Sequence, residues 1–170
     1  GLDNICNLKF KEDNIFNLYC FEHAKKIVYK NYYLYNYRQC VTSLIHKNSL
    51  NMINPYIKFL KEEKNFIVKY NKPSIFYTAY RIRSIESLIN IIGQYIFKTK
   101  CSYLQKHKKI KELLNLEIFK DALKNIDTSY LGKYLKLMVY LLKFKMFISV
   151  NILYNLREKI KNKNQTNLYD

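Results

Sequence analysis

The fold is decided by residues 71–99, NKPSIFYTAYRIRSIESLINIIGQYIFKT. This stretch begins with Asn71 and Pro73, and a proline near the first turn is typical of a helix start. Apolar residues then recur on one helical face as far as Thr99. The whole chain has only three glycines and two prolines, so few helix breaks are available. These features predict a mainly α-helical fold.

Helical spacing of apolar residues continues along most of the chain beyond residue 47. Pro55 lies inside one of these segments and should kink the helix or restart it. Asp127 stands before the last segment as a helix cap. The predicted helices cover residues 49–64, a run from the start signal at 71–74 to about residue 99, residues 106–125 and residues 130 to about 161. We therefore expect a helical module over residues 47–170.

Residues 1–46 follow a different pattern. A short amphipathic helix is predicted to start at Glu12 and Asp13, whose charges suit the positive end of the helix dipole. Residues 27–29 and 33–35 are rich in β-branched and aromatic side chains, which favours two short strands. The sequence thus predicts a small α/β unit ahead of the helical module.

The chain is strongly basic, with 30 Lys and Arg against 13 Asp and Glu and a formal charge of +17. Such a charge favours an anionic partner, which is nucleic acid, a phospholipid surface or a phosphorylated substrate. A coding sequence rich in A and T would produce the same surplus of lysine with no function behind it. The four cysteines lack the spacing of a zinc site and are interpreted as free thiols of a reducing cytosol.

Two short motifs carry the clearest functional signal. KEDNIF, residues 11–16, places two adjacent carboxylates at a helix start, and YNYRQ, residues 35–39, places Arg38 at the end of a Tyr-rich extended run. AKKIVY, residues 24–29, lies between them. In this order and spacing, residues 8–46 resemble the C-terminal end of the catalytic domain, of GT-A type, in bacterial family 2 glycosyltransferases.

The resemblance implies inverting transfer of a sugar from a nucleotide sugar to a hydroxyl acceptor in capsule or lipopolysaccharide synthesis. Asp13 would be the catalytic base that takes the hydroxyl proton, and Glu12 would orient the acceptor. Tyr37, Arg38 and Gln39 would lie near the acceptor cleft or the phosphates, where arginine neutralises a departing diphosphate. The structural alternatives are an acidic helix cap and a strand-end arginine bonded to a carbonyl or to Glu12.

The resemblance also implies a divalent metal, Mg²⁺ or Mn²⁺, held against the diphosphate by an Asp-x-Asp motif. That motif does not occur in the chain, whose aspartates are Asp3, Asp13, Asp121, Asp127 and Asp170. His46 is the one candidate metal ligand, against the commoner surface role of a lone histidine. We therefore expect a chain that is inactive alone, as a fragment, a remnant or half of a split enzyme.

The C-terminal module suggests contact with a membrane. Lys133, Lys136 and Lys143 share one face of an otherwise apolar helical segment. The apolar neighbours of this basic face are Leu135, Met138, Leu142 and Met146. Such a helix is too charged to span a bilayer but can lie flat on an anionic leaflet. The resemblance to glycosyltransferases favours this interpretation, because acceptors of such enzymes are often lipid-linked. The alternative is a core helix of a bundle with solvated lysines.

Two other classes of function are open. The charge of +17 and 17 tyrosines suggest a nucleic-acid-binding helical module, but the lysines alternate with apolar residues, which disfavours it. A structural helical scaffold is the third class. Neither a signal peptide nor a run of 18 apolar residues is visible, so we expect a cytoplasmic protein, at most peripheral at the inner face of the cytoplasmic membrane.

Overall fold

The structure, a computed structural model, describes Leu8 and residues 10–32 and 50–166. Its α-helices are α1 Glu12–His23, α2 Ile53–Lys69, α3 Ser74–Asn90, α4 Tyr103–Asn115, α5 Glu117–Asn125, α6 Lys133–Lys143 and α7 Phe147–Thr166. Short 3₁₀ turns, Leu50–Met52 and Thr128–Tyr130, precede α2 and α6, and a π-helix, Ile91–Ile96, extends α3. The prediction of a mainly helical fold is confirmed.

Helix α3 and its π extension form the centre of the molecule. Helix α3 packs against α2, α5 and α6, and the π-helix contacts α4 and α7. The apolar stripe of residues 71–99 is fully buried there, at Ile85, Leu88, Ile91, Ile92 and Ile96. Burying one such side chain stabilises the fold by about 1.5–3 kcal/mol. This stripe explains why the other helices gather around this segment.

Helix starts were predicted more accurately than interruptions. Helix α2 begins at Ile53 with Pro55 in its first turn, where a proline removes no intrahelical hydrogen bond. The single helix predicted over residues 106–125 is wrong, because extended Leu116 separates α4 from α5. The last predicted helix is also divided, since Lys145 adopts a left-handed backbone (φ 58°) between α6 and α7.

The strand predicted at residues 27–29 is absent from the structure. Helix α1 ends at His23, and an irregular, exposed segment follows as far as Tyr32. Ile27, Val28 and Tyr29 are 65%, 62% and 87% exposed. Side chains that favour strands form one only beside a partner strand, and none lies here within the described residues. The second predicted strand, residues 33–35, lies outside the described residues.

Helix α1 is attached to the helical module by its buried side. Ile15 is almost fully buried, and three pairs join α1 to the end of α2 and the residues after it: Tyr19–Phe66, His23–Tyr70 and Glu22–Lys72. The His23 Nε2 atom lies 2.9 Å from the Tyr70 hydroxyl. These contacts fix the direction of α1 relative to α2.

Gly93 lets α7 approach the π-helix closely. A Cβ atom added at Gly93 would lie 2.4 Å from Cδ1 of the buried Tyr154 ring. The ring therefore occupies the volume that any other side chain at position 93 would need. Helix α7 is seated on the core through a contact that only glycine permits.

Helix α6 ends in a Schellman motif. The Met146 N–H donates to the Leu141 carbonyl at 2.9 Å, and the Lys145 N–H donates to the Leu142 carbonyl at 3.1 Å. The residue at the left-handed position of this motif is usually glycine. Here it is Lys145, and Asn71 (φ 44°) has the corresponding role at the end of α2.

Candidate functional site

The predicted catalytic carboxylates lie together in the first turn of α1. Glu12 and Asp13 are both exposed to solvent. The Asp13 Oδ1 atom accepts hydrogen bonds from the Asn14 backbone N–H at 2.8 Å and from the Asn14 amide at 3.3 Å. Asp13 therefore satisfies one free amide of the helix start, while its second oxygen has no hydrogen bond to any described residue.

Lys11, immediately before this pair, turns its side chain inward. Its backbone is left-handed (φ 55°), a conformation that is uncommon outside glycine. The Lys11 ammonium lies 4.9 Å, 5.2 Å and 5.4 Å from the ring centroids of Phe59, Tyr56 and Phe10. Burial among these rings lowers the pKa of Lys11, the nearby Arg83 charge lowers it further, and nearby carboxylates oppose the change. The ammonium anchors the start of α1 to α2.

An ion pair with a buried carboxylate and a partly exposed guanidinium lies near Lys11, between α2 and α3. Glu63 is only 7% exposed, and its Oε1 atom lies 3.4 Å from Nε of Arg83. The Oε2 atom has no hydrogen-bond partner within the described part of the chain. Burial raises the pKa of Glu63, against the lowering effect of the Arg83 and Lys11 charges. The sequence analysis missed this group, although Glu63 falls on the apolar stripe of α2 beside Leu60.

We expect Glu63→Gln to gain stability over the parent chain as the pH rises above about 4.3, the ordinary pKa of glutamate. The folded pKa of Glu63 is raised, so the folded chain keeps a proton that the unfolded chain has released. The parent therefore loses stability through this window, and neutral glutamine escapes that loss. Urea unfolding of both proteins between acidic and neutral pH measures the difference.

The control for this substitution is Glu62→Gln, which removes a less buried carboxylate from the same helix. It should not reproduce the pH-dependent gain. A variant Glu63→Gln that instead loses stability towards neutral pH would show that attraction to Arg83 and Lys11 outweighs the cost of burying the carboxylate.

The remaining predicted site residues are not placed by the structure. Tyr37, Arg38, Gln39 and His46 lie outside the described residues, so their approach to Asp13 stays a prediction. In the ranges that are described, no three His, Cys, Asp or Glu side chains lie close enough to hold a metal ion. The described residues therefore bring together the acidic pair and the Lys11 anchor, and no metal ligands.

A polar cavity of about 190 Å³ lies elsewhere, between α3, α6 and α7. Arg157 and Tyr134 both line this cavity, and the Arg157 guanidinium lies over the Tyr134 ring, 4.0 Å from the ring centroid. Burial raises the pKa of Tyr154, which also lines the cavity, to about 12. The cavity contains none of the predicted site residues that the structure describes, so it is separate from the start of α1.

Comparisons with known proteins find no relative. No protein-family model matches the sequence, and neither a curated protein nor a solved structure matches the chain. The function is therefore inferred from the residues of the chain and their geometry.

Proposed function

We propose that this chain is the C-terminal part of an inverting glycosyltransferase of the bacterial family 2 type, with Asp13 as catalytic base. The observation that carries the proposal is the exposed Glu12–Asp13 pair in the first turn of α1, within the KEDNIF motif. Asp13 has one oxygen free of described hydrogen bonds, and a base needs such an oxygen to take a proton from an acceptor hydroxyl.

The outer surface of α1 and of the segment after it supports the proposal. Six large apolar side chains are exposed there, at Phe16, Phe21, Ile27, Val28, Tyr29 and Tyr32. Single exposed apolar residues are normal, but a group along one short segment marks a surface that packs against something else. In a catalytic domain of this type, the donor-binding part of the domain would cover it.

The proposed reaction builds a bacterial surface glycan, such as capsule or lipopolysaccharide. The acceptor oxygen attacks the anomeric carbon of a nucleotide sugar, Asp13 takes the hydroxyl proton, and the bond to the diphosphate breaks with its electron pair leaving on the diphosphate. Glu12 would orient the acceptor, and Tyr37, Arg38 and Gln39 would lie near the acceptor cleft or the diphosphate. The described residues do not fit a divalent metal, so this chain is assigned to the acceptor side of the reaction.

The 170-residue chain alone is expected to release no nucleoside diphosphate from any nucleotide sugar, because its sequence has no Asp-x-Asp motif to hold a metal ion against the leaving diphosphate. A longer protein, translated from the reading frame extended upstream through an encoded Asp-x-Asp motif, is expected to release the nucleoside diphosphate when Mn²⁺ is present. Chromatography of the released nucleotide measures both. Metal-dependent turnover by the short chain, or an upstream frame with no Asp-x-Asp, would contradict the proposal.

A further inference from the structure

Helix α7 has apolar side chains on two opposite sides. Its inner side is buried in the core at Phe147, Val150 and Tyr154. Its outer side carries four apolar residues at four-residue spacing, each 51–62% exposed: Ile148, Ile152, Leu156 and Ile160. A helix on the surface of a globular protein normally has polar residues opposite the core. The outer side of α7 therefore has the composition of a surface that is covered.

Helix α6 and the turn after it repeat this arrangement. The inner side is buried at Met138, Val139 and Leu142. The exposed apolar side chains are Leu137, Tyr140, Phe144 and Met146. Both helices place their inner sides on α3 and its π extension, so their outer sides face away from one core. We call these eight exposed residues of α6, the turn and α7 the outer face.

The apolar residues predicted to lie beside the basic side of α6 are mostly not on the outer face. Met138 and Leu142 belong to the core, and Leu135 is half-buried against it. Only Met146 of that predicted set is on the exposed surface. The side chains that accompany the exposed lysines are instead Leu137, Tyr140 and Phe144.

The charges around the outer face are almost all positive. Five exposed lysines accompany it, at positions Lys133, Lys136, Lys143, Lys145 and Lys159. Between residues 133 and 160 the sequence has a single acidic residue, Glu158, which is half-buried. A second copy of the chain would bring lysines against lysines, whereas anionic headgroups would neutralise them. Charge complementarity therefore favours an anionic bilayer over self-association.

The turn at the tip of the outer face has satisfied backbone amides. The Phe144 N–H donates to the Tyr140 carbonyl at 2.9 Å, and the Phe147 N–H donates to the Lys145 carbonyl at 3.0 Å. The amides of Lys145 and Met146 are satisfied by the Schellman motif. Unsatisfied amides oppose entry into a lipid interface, and this turn offers none among its four residues.

We propose that the outer face of α6 and α7 binds the surface of an anionic bilayer, with both helices lying in the plane of the interface. The apolar side chains enter the boundary between headgroups and acyl chains, and the lysines pair with lipid phosphates. No helix in the described residues is long and apolar enough to cross a membrane. The inference goes beyond the proposed reaction and stands without it.

A single introduced tryptophan tests the position of the outer face, because the chain has none of its own. Phe144→Trp is compared with Leu104→Trp on α4, a position that is 78% exposed and outside the outer face. With phosphatidylglycerol vesicles, the emission of the Phe144→Trp variant is expected to shift to the blue and to be quenched by brominated acyl chains. The emission of the Leu104→Trp variant is expected to do neither. Equal shifts in both variants, or none in either, overturn the proposal.

Binding strength gives an independent measurement. Ile152→Glu with Leu156→Glu is expected to weaken sedimentation with phosphatidylglycerol vesicles by at least about tenfold, because two inserting side chains become anions. The matched control, Ile75→Glu with Leu104→Glu, makes the same change at exposed apolar positions of α3 and α4. Circular dichroism verifies that both double variants are folded. Equal losses in both overturn the assignment to the outer face.

The contribution of the lysine charges to membrane binding is tested separately. Lys136→Glu with Lys143→Glu is expected to weaken binding at low salt, and this difference should shrink at high salt because ions screen exposed charges. Lys108→Glu with Lys111→Glu, on the exposed side of α4, is the control. A concentration-dependent dimer that the outer-face variants dissociate, or a salt-sensitive shift with RNA in place of vesicle binding, would overturn the proposal.

Discussion

Asp13→Asn in the intact enzyme is expected to lower turnover by about 100- to 10,000-fold, the usual contribution of a positioned base. Asparagine keeps the size of the side chain and an oxygen that accepts from the Asn14 N–H, so the start of α1 should be undisturbed. What it loses is the ability to take the acceptor proton. Donor affinity should hardly change, so the loss should appear in kcat rather than in nucleotide-sugar binding measured by calorimetry.

The control for this substitution is Asp127→Asn. Asp127 also accepts a backbone N–H at a helix start, from Ser129 at 2.9 Å, but it lies before the 3₁₀ turn that precedes α6. Near-parent turnover is expected there. If Asp13→Asn keeps normal turnover while Glu12→Gln abolishes it, the base is Glu12 and the assigned roles are reversed.

Gly93→Ala is expected to lower the free energy of unfolding by about 1–3 kcal/mol, the usual range for an overpacked core. The new methyl group would lie 2.4 Å from the Tyr154 ring, so α7 or the ring must move. Alanine's advantage within a helix, about 0.5–1 kcal/mol, offsets only part of this loss. Urea unfolding followed by circular dichroism gives the difference.

Gly132→Ala provides the comparison, because a Cβ atom at Gly132 meets nothing within 4 Å. We expect it to change the free energy of unfolding by well under about 1 kcal/mol, as surface substitutions usually do. In the Gly93→Ala background, Tyr154→Ala should cost less stability than it does in the parent chain, because it removes the ring atoms that the new methyl group would meet. Equal unfolding free energies for the two alanine variants would mean that α7 is not seated on Gly93.

The helices could be predicted where periodicity and a start signal agree. Pro73 and the apolar stripe after it define α3, and Pro55 marks the start of α2. The breaks at Leu116 and Lys145 were missed because neither residue is a glycine or a proline. A Schellman motif with lysine at its left-handed position has no compositional signal. The prediction of a strand at residues 27–29 was wrong for another reason, because β propensity reflects packing against neighbours as much as the residues themselves.

Only the part of the candidate site formed by residues adjacent in sequence could be predicted. The acidic pair at positions 12 and 13 is a helix-start signal, and both carboxylates are exposed as that role requires. The contacts that orient α1 join residues 47 to 50 positions apart, such as His23 with Tyr70 and Glu22 with Lys72, and no spacing rule reveals them. The lysines of α6 were correctly placed on its exposed side. Their apolar partners were misassigned because α6 has apolar residues on both sides, so periodicity does not say which side is inner.

Lys145 makes the turn between α6 and α7 less stable than it needs to be. A left-handed backbone costs a residue with a Cβ atom about 1–2 kcal/mol, and glycine avoids that cost. Glycine would make the same Schellman hydrogen bonds, because they use only backbone atoms. What glycine would remove is an ammonium group between two exposed apolar residues, Phe144 and Met146. Glycine at position 145 would therefore stabilise the turn and remove its positive charge, so the stability of the fold and the charge of the surface oppose each other at this residue.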